Sequence, residues 1–132
     1  MAEWLDKLLG RGAPKLRGTP VVRRLKHYAA LSGYAYEYYY EGYRDTGGRR
    51  EYAFTVSGDR KTWFPLVVRL SNGAAGAWER EHGRRLEDRE RYALAKLALF
   101  SAFDERPNPE AARAAVDVTA SAAEALLVRL EL

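Results

Sequence analysis

The chain has 132 residues, 47% of them apolar, and a formal charge of +4; that length and apolar share suit one domain around a single core. It has no cysteine and only two histidines, His27 and His82, so disulfide frameworks, thiolate nucleophiles and cysteine-ligated metals are excluded and imidazole chemistry has little to work with. No apolar run is long enough to span a bilayer, and the opening MAEWLDKLLGRG carries acids where a secretory leader needs a basic start and a long apolar middle, so a cytoplasmic protein is expected.

In chain order, Trp4, Leu5, Leu8 and Leu9 fall at helical spacing, with Glu3, Asp6 and Lys7 elsewhere on the wheel. This predicts a two-turn amphipathic helix. The following GRGAPKLRGTP has the composition of a tether, so residues 1–18 read as an appendage and 19–132 as a single α+β domain. Residues 11–26 hold six basic side chains, Arg11, Lys15, Arg17, Arg23, Arg24 and Lys26, and no acid. That segment is the candidate footprint for an anionic partner.

Thr19 and Pro20 signal a helix start. Val21, Val22, Leu25, Tyr28 and Ala29 then share one helical face, and Gly33 can supply a left-handed stop. A helix over 20–31 is predicted, against a competing strand beginning near Tyr28. Three strand signals follow, YAYEYYYEGYR, REYAFTVS and TWFPLVVRL, joined by turn chemistry at 45–48 and 58–61. They predict a three-stranded antiparallel meander. Pro65 cannot donate to a ladder, which places the third strand at an edge.

Beyond the strands the chain reads as helical. Asn72 can cap AAGAWEREH with Gly83 ending it, and the nearly all-apolar run from Tyr92 to Phe103 predicts a buried central helix over about 89–104. Asn108-Pro109 reads as another helix start, and Ser121-Ala122-Ala123-Glu124 has capping-box spacing before a last helix.

Register decides which tyrosines meet the core. A three-residue first turn, Asp45 to Gly47, pairs Tyr36 with Val56, Tyr38 with Phe54 and Tyr40 with Tyr52; a second loop over 59–61 pairs Val56 with Phe64, Phe54 with Leu66 and Tyr52 with Val68. Tyr34, Tyr36, Tyr38 and Tyr40 then face the core. Tyr39, Tyr43 and Trp63 lie on the opposite face, beside a row of Glu41, Glu51 and Arg69.

Glu41 and Glu51 could form an acid–base pair, but no nucleophile or metal ligand accompanies them, and a cross-strand ion network with Arg69 accounts for both. No glycine-rich phosphate loop is present. The sequence therefore reads as a non-catalytic accessory or adaptor protein without cofactor or metal, binding a protein partner. The partner surface would be Trp4, Leu5, Leu8 and Leu9 on the first helix or Tyr39, Tyr43 and Trp63 on the outer sheet face; a homo-oligomer is compatible with both. Two alternatives are a nucleic-acid binder using residues 11–26 and association with an anionic membrane surface through the first helix.

The order helix, three antiparallel strands, helix, with Pro20, Leu25 and Ala29 ahead of the first strand, resembles the double-stranded RNA-binding domain over about residues 19–71. That family grips phosphates with a lysine-rich start to its last helix. Here the long helix opens with the charge-balanced Asp88-Arg89-Glu90-Arg91, and an extra helix at about 73–82 intervenes.

Overall fold

The computed structural model describes residues 15–132. The expected first helix, with Trp4, Leu5, Leu8 and Leu9, and the basic residue Arg11 lie outside the described residues. The strands are β1 (Lys26–Ala29), β2 (Ala35–Thr46), β3 (Arg49–Ser57), β4 (Trp63–Ser71) and β5 (Val116–Val118), and the helices are α1 (Asn72–His82), α2 (Asp88–Glu105) and α3 (Ala120–Val128). The strands form one curled sheet, a half-barrel in the order β1-β2-β3-β4-β5, antiparallel except for the parallel β4–β5 pair. This overturns the three-stranded meander. The central hairpins were expected; β5 was not, and β1 takes the place of the predicted helix, in the region where a strand near Tyr28 was the competing reading.

β1 occupies the segment expected as a helix. Thr19 does not cap a helix; its hydroxyl donates to the Glu41 carbonyl, and His27 and Tyr28 pair with Glu37 and Tyr36. Tyr28 can stack on Phe100 with ring centroids 4.2 Å apart only because the strand carries it over the sheet face. That tertiary contact outweighs a marginal local helix. Gly33, at φ 97°, closes the loop to β2 instead of stopping a helix. The order of elements that resembled a double-stranded RNA-binding domain is therefore not present.

The first hairpin turns on Gly47 and Gly48, whose φ values of 57° and 73° define the two-residue turn that matches strand twist. The expected three-residue loop is corrected accordingly. Alone, this change of turn would have reversed the faces of β2, but a bulge between Tyr40 and Gly42 inserts one extra residue. Tyr38 pairs with Val56 and Tyr40 with Phe54, so both stay on the apolar side; beyond the bulge Tyr43 pairs with Tyr52 and joins that side too. The second hairpin has the expected pairs, Val56 with Phe64, Phe54 with Leu66 and Tyr52 with Val68.

β5 lies within the stretch expected to be a helix after Asn108. Only a single 3-10 turn forms there, Ala111–Arg113. The Arg106 guanidinium donates to the carbonyls of Ala112, Ala114 and Ala115, which holds the chain extended ahead of β5. β4 is consequently an inner strand. Its proline is tolerated because β5 covers only Val68 to Leu70, beyond Pro65.

The core lies between the sheet and the helices. Leu94, Ala95, Ala98, Leu99, Ala102 and Phe103 of α2 are buried, and Phe103 stacks on Tyr36 at 4.1 Å. Burial of this size is worth about 1.5–3 kcal/mol for each large side chain. Ser71 caps α1, one residue before the expected Asn72, and Gly83 ends it in the left-handed conformation; Thr119 caps α3, two residues before Ser121.

Candidate functional site

The sheet face opposite the helices carries an unusual amount of buried charge. Glu37, Glu41, Arg44 and Glu51 are each at most 8% exposed, and Thr55 and Ser57 beside them are at most 1% exposed. Charged groups this deep require partners, and each carboxylate has them. Glu41 accepts two hydrogen bonds from the Arg23 guanidinium, both 2.8 Å, and one from the Thr55 hydroxyl. Glu51 lies between Arg44 and Arg49, at 2.7 and 2.9 Å. Glu37 meets His27 Nε2 at 3.0 Å and Arg60 Nε at 3.4 Å.

The expected row of Glu41, Glu51 and Arg69 is not what forms. The bulge removes Glu41 from it and brings Arg44 opposite Glu51, so that Arg44, Glu51 and Arg69 cross the three strands in line. Arg69 then reaches Asp117 on β5, 3.0 Å away. Alternating charge along the row replaces the facing glutamates that the unbulged register implied.

The sequence-derived aromatic set divides. Tyr39 and Trp63 come together on the polar face with centroids 5.6 Å apart, and Arg23 lies over the Tyr39 ring at 4.0 Å. Tyr43 is on the other face, flanked by Tyr52 at 5.9 Å, with Arg50 over its ring at 4.2 Å and Arg17 at 5.6 Å. The basic set divides as well. Arg23 is engaged by Glu41, and its guanidinium is held protonated above its ordinary range chiefly by that hydrogen bond. Arg17 is 3.8 Å from Asp45, Lys15 and Arg24 are exposed, and Lys26 is on the strand with its alternate positions toward α2. There, burial first and the nearby Lys26 charge second lower the pKa of Lys96.

A different surface feature lies around β1. Val21, Val22, Leu25, Leu31 and Tyr34 are exposed, with Val21 and Leu31 at 103% and 88%; Val128 is the one other large apolar side chain exposed among the described residues. Sequence reasoning missed this cluster because a helix over 20–31 would have buried Val21, Val22 and Leu25. Local patterning held no signal for it, because Val21 and Val22 lie in a bend ahead of β1 and belong to neither a helix nor a strand.

Among the described residues, no group of three or more metal-ligating side chains is arranged to hold an ion, and no helix is long and apolar enough to cross a membrane. Set against family models, curated proteins and solved structures, the chain matches none of them. Any functional reading therefore rests on this chain's own geometry.

Proposed function

We propose that the chain is a non-catalytic, cytoplasmic adaptor that binds a protein partner along the β1 edge. The observation that carries this reading is that, among the described residues, five of the six exposed large apolar side chains fall between Val21 and Tyr34. They flank a four-residue edge strand, the arrangement in which a partner strand can add main-chain hydrogen bonds while apolar side chains on both sides supply contact area. Tyr39 and Trp63, joined to the 21–25 segment through Arg23, extend the same region with aromatic surface. Catalysis is disfavoured because Glu41 and Glu51 are each taken up by guanidinium groups. Using either as an acid or base would first require breaking a buried ion pair.

The test is the double variant Val22→Glu, Leu31→Glu. Both positions are exposed, so its stability should remain within about 0.5 kcal/mol of the parent. A protein captured by the parent chain from extract is then purified, and its affinity measured by calorimetry should fall at least about tenfold for the variant. Unchanged affinity would remove the β1 edge from the reading. A parent dimer that the variant dissolves would identify the partner as a second copy. The nucleic-acid alternative predicts instead an oligonucleotide shift with steep salt dependence, abolished by neutralising Lys15, Arg17 and Arg24 and indifferent to the glutamates.

A further inference from the structure

The polar sheet face also contains a cleft of about 290 Å³, lined by Arg44, Arg49, Arg69 and Arg113, by Glu51, and by the apolar surface of Val67. Four guanidinium groups thus surround a single lining carboxylate. Arginine does not lose its proton in such a setting, and the neutralising groups at the rim are weak. Asp117 beside Arg69 and Glu110 beside Arg113 have side chains 69% and 82% exposed, where water and salt screen an ion pair.

The second observation concerns hydrogen-bond donors. Arg44 is 6% exposed and gives its Nε and Nη2 edge to Glu51, while its buried Nη1 has no acceptor. Arg69 Nε is buried too; Asp117 is near enough for charge attraction but is not aligned to accept a hydrogen bond from it. Buried donors without acceptors are rare and unfavourable. Two of the five such atoms among the described residues, Arg44 Nη1 and Arg69 Nε, belong to arginines that line this cleft, so its walls hold more donor capacity than the neighbouring protein groups accept.

We infer that this cleft binds the phosphate group of a small phosphomonoester. A carboxylate is planar, and one arginine fork satisfies it. The four guanidiniums here come from β2, β3, β4 and the 3-10 turn before β5, a convergence that suits a tetrahedral dianion with oxygens in several directions. The volume lies near the lower limit for small-molecule sites, enough for a phosphate and a short organic portion resting on Val67.

The site is tested on the full chain by titration calorimetry at constant ionic strength, with inorganic phosphate and glucose 6-phosphate as separate probes. Saturable one-site binding is expected. Tighter binding of the ester would show that the organic portion is recognised, and equal binding that the phosphate group alone suffices; both support the site. Arg113→Gln, whose side chain is 43% exposed and whose ion-pair partner Glu110 is 82% exposed, should weaken binding about tenfold while leaving the melting temperature without phosphate unchanged; Arg49→Gln should weaken binding as much but also lower that melting temperature, because Arg49 holds Oε2 of the buried Glu51. Arg44 is avoided as a probe because its pairing with Glu51 is structural. Absence of saturable heat, equal affinity in the parent and both variants, or citrate binding as tightly as phosphate would each overturn the inference.

Discussion

Gly42→Ala should be among the most damaging single-methyl additions to this protein. Gly42 has φ 126°, and a Cβ built on it would lie 2.7 Å from the Arg17 carbonyl oxygen and 2.8 Å from Thr19 Oγ1. The backbone atom cannot rotate away, so residues 16–19 must retreat. That retreat breaks the two hydrogen bonds between Arg17 and Tyr43, 2.7 and 2.8 Å, and the one from Thr19 to the Glu41 carbonyl. Three hydrogen bonds at about 1 kcal/mol each, with about 1–3 kcal/mol of backbone strain and a small offset from the stiffer unfolded chain, give a net loss of about 3–5 kcal/mol. For a domain of this size the melting temperature should fall by about 10–20 °C. Gly47→Ala is the control: its φ is also positive, but nothing lies within 4 Å, so it should cost only about 1 kcal/mol. Thermal and urea unfolding followed by circular dichroism measure both, and hydrogen exchange should show the Arg17 and Tyr43 amides losing protection only in Gly42→Ala. If Gly42→Ala is no more damaging than Gly47→Ala, the close approach of the 16–19 segment to the bulge is not what holds it there.

Two further predictions concern the buried polar and aromatic groups. Glu51→Ala strands the Arg44 guanidinium, 6% exposed, and should destabilise by about 3–5 kcal/mol, whereas the double variant Arg44→Met, Glu51→Ala should recover most of that, because removing both members of a buried pair removes the uncompensated charge. A double-mutant cycle in urea decides, and a double variant no more stable than Glu51→Ala would contradict the pairing. At high pH, burial raises the hydroxyls of Tyr38 and Tyr52 from the ordinary 10.0 to about 12. Since the folded values lie above the unfolded ones, their contribution is complete below pH 10 and is lost between 10 and about 12 as the unfolded chain ionises first. Melting temperature against pH should therefore drop in that window, and Tyr38→Phe should flatten the drop; an identical alkaline limb would show that Tyr38 is not held neutral by the core.

Much of the central architecture could be read from residue order alone. The pairs of the second hairpin follow from the loop around Gly58 and Asp59 and from matching Val56 with Phe64. The buried α2 helix is evident in the run from Tyr92 to Phe103. The tyrosines of GYAYEYYYEGY separate as expected at Tyr36 and Tyr38, which are buried at 0% and 2%, but not at Tyr34, 39% exposed, nor at Tyr43, turned inward by the bulge. An isolated glycine inside a strand pattern, here Gly42, often marks a bulge. It could have corrected both the two-glycine turn and the face of Tyr43.

Local patterning could not supply the two edge strands or the ion network. Val21 to Ala29 satisfies a helical stripe as well as a strand, and the choice is made by the Tyr28–Phe100 stack, between residues distant in sequence. β5 is three residues within an alanine-rich stretch, too short for any periodicity. The partners of Glu41 and Glu51 depend on the bulge and on where the 16–25 segment crosses it. By itself the sequence determined the alternation that builds the hairpins and the apolar helix that covers them, because those rest on the period of neighbouring side chains. Only the tertiary structure decided the sheet's edges, the exposed cluster around β1 and the arginine-lined cleft, because each depends on which distant segments meet.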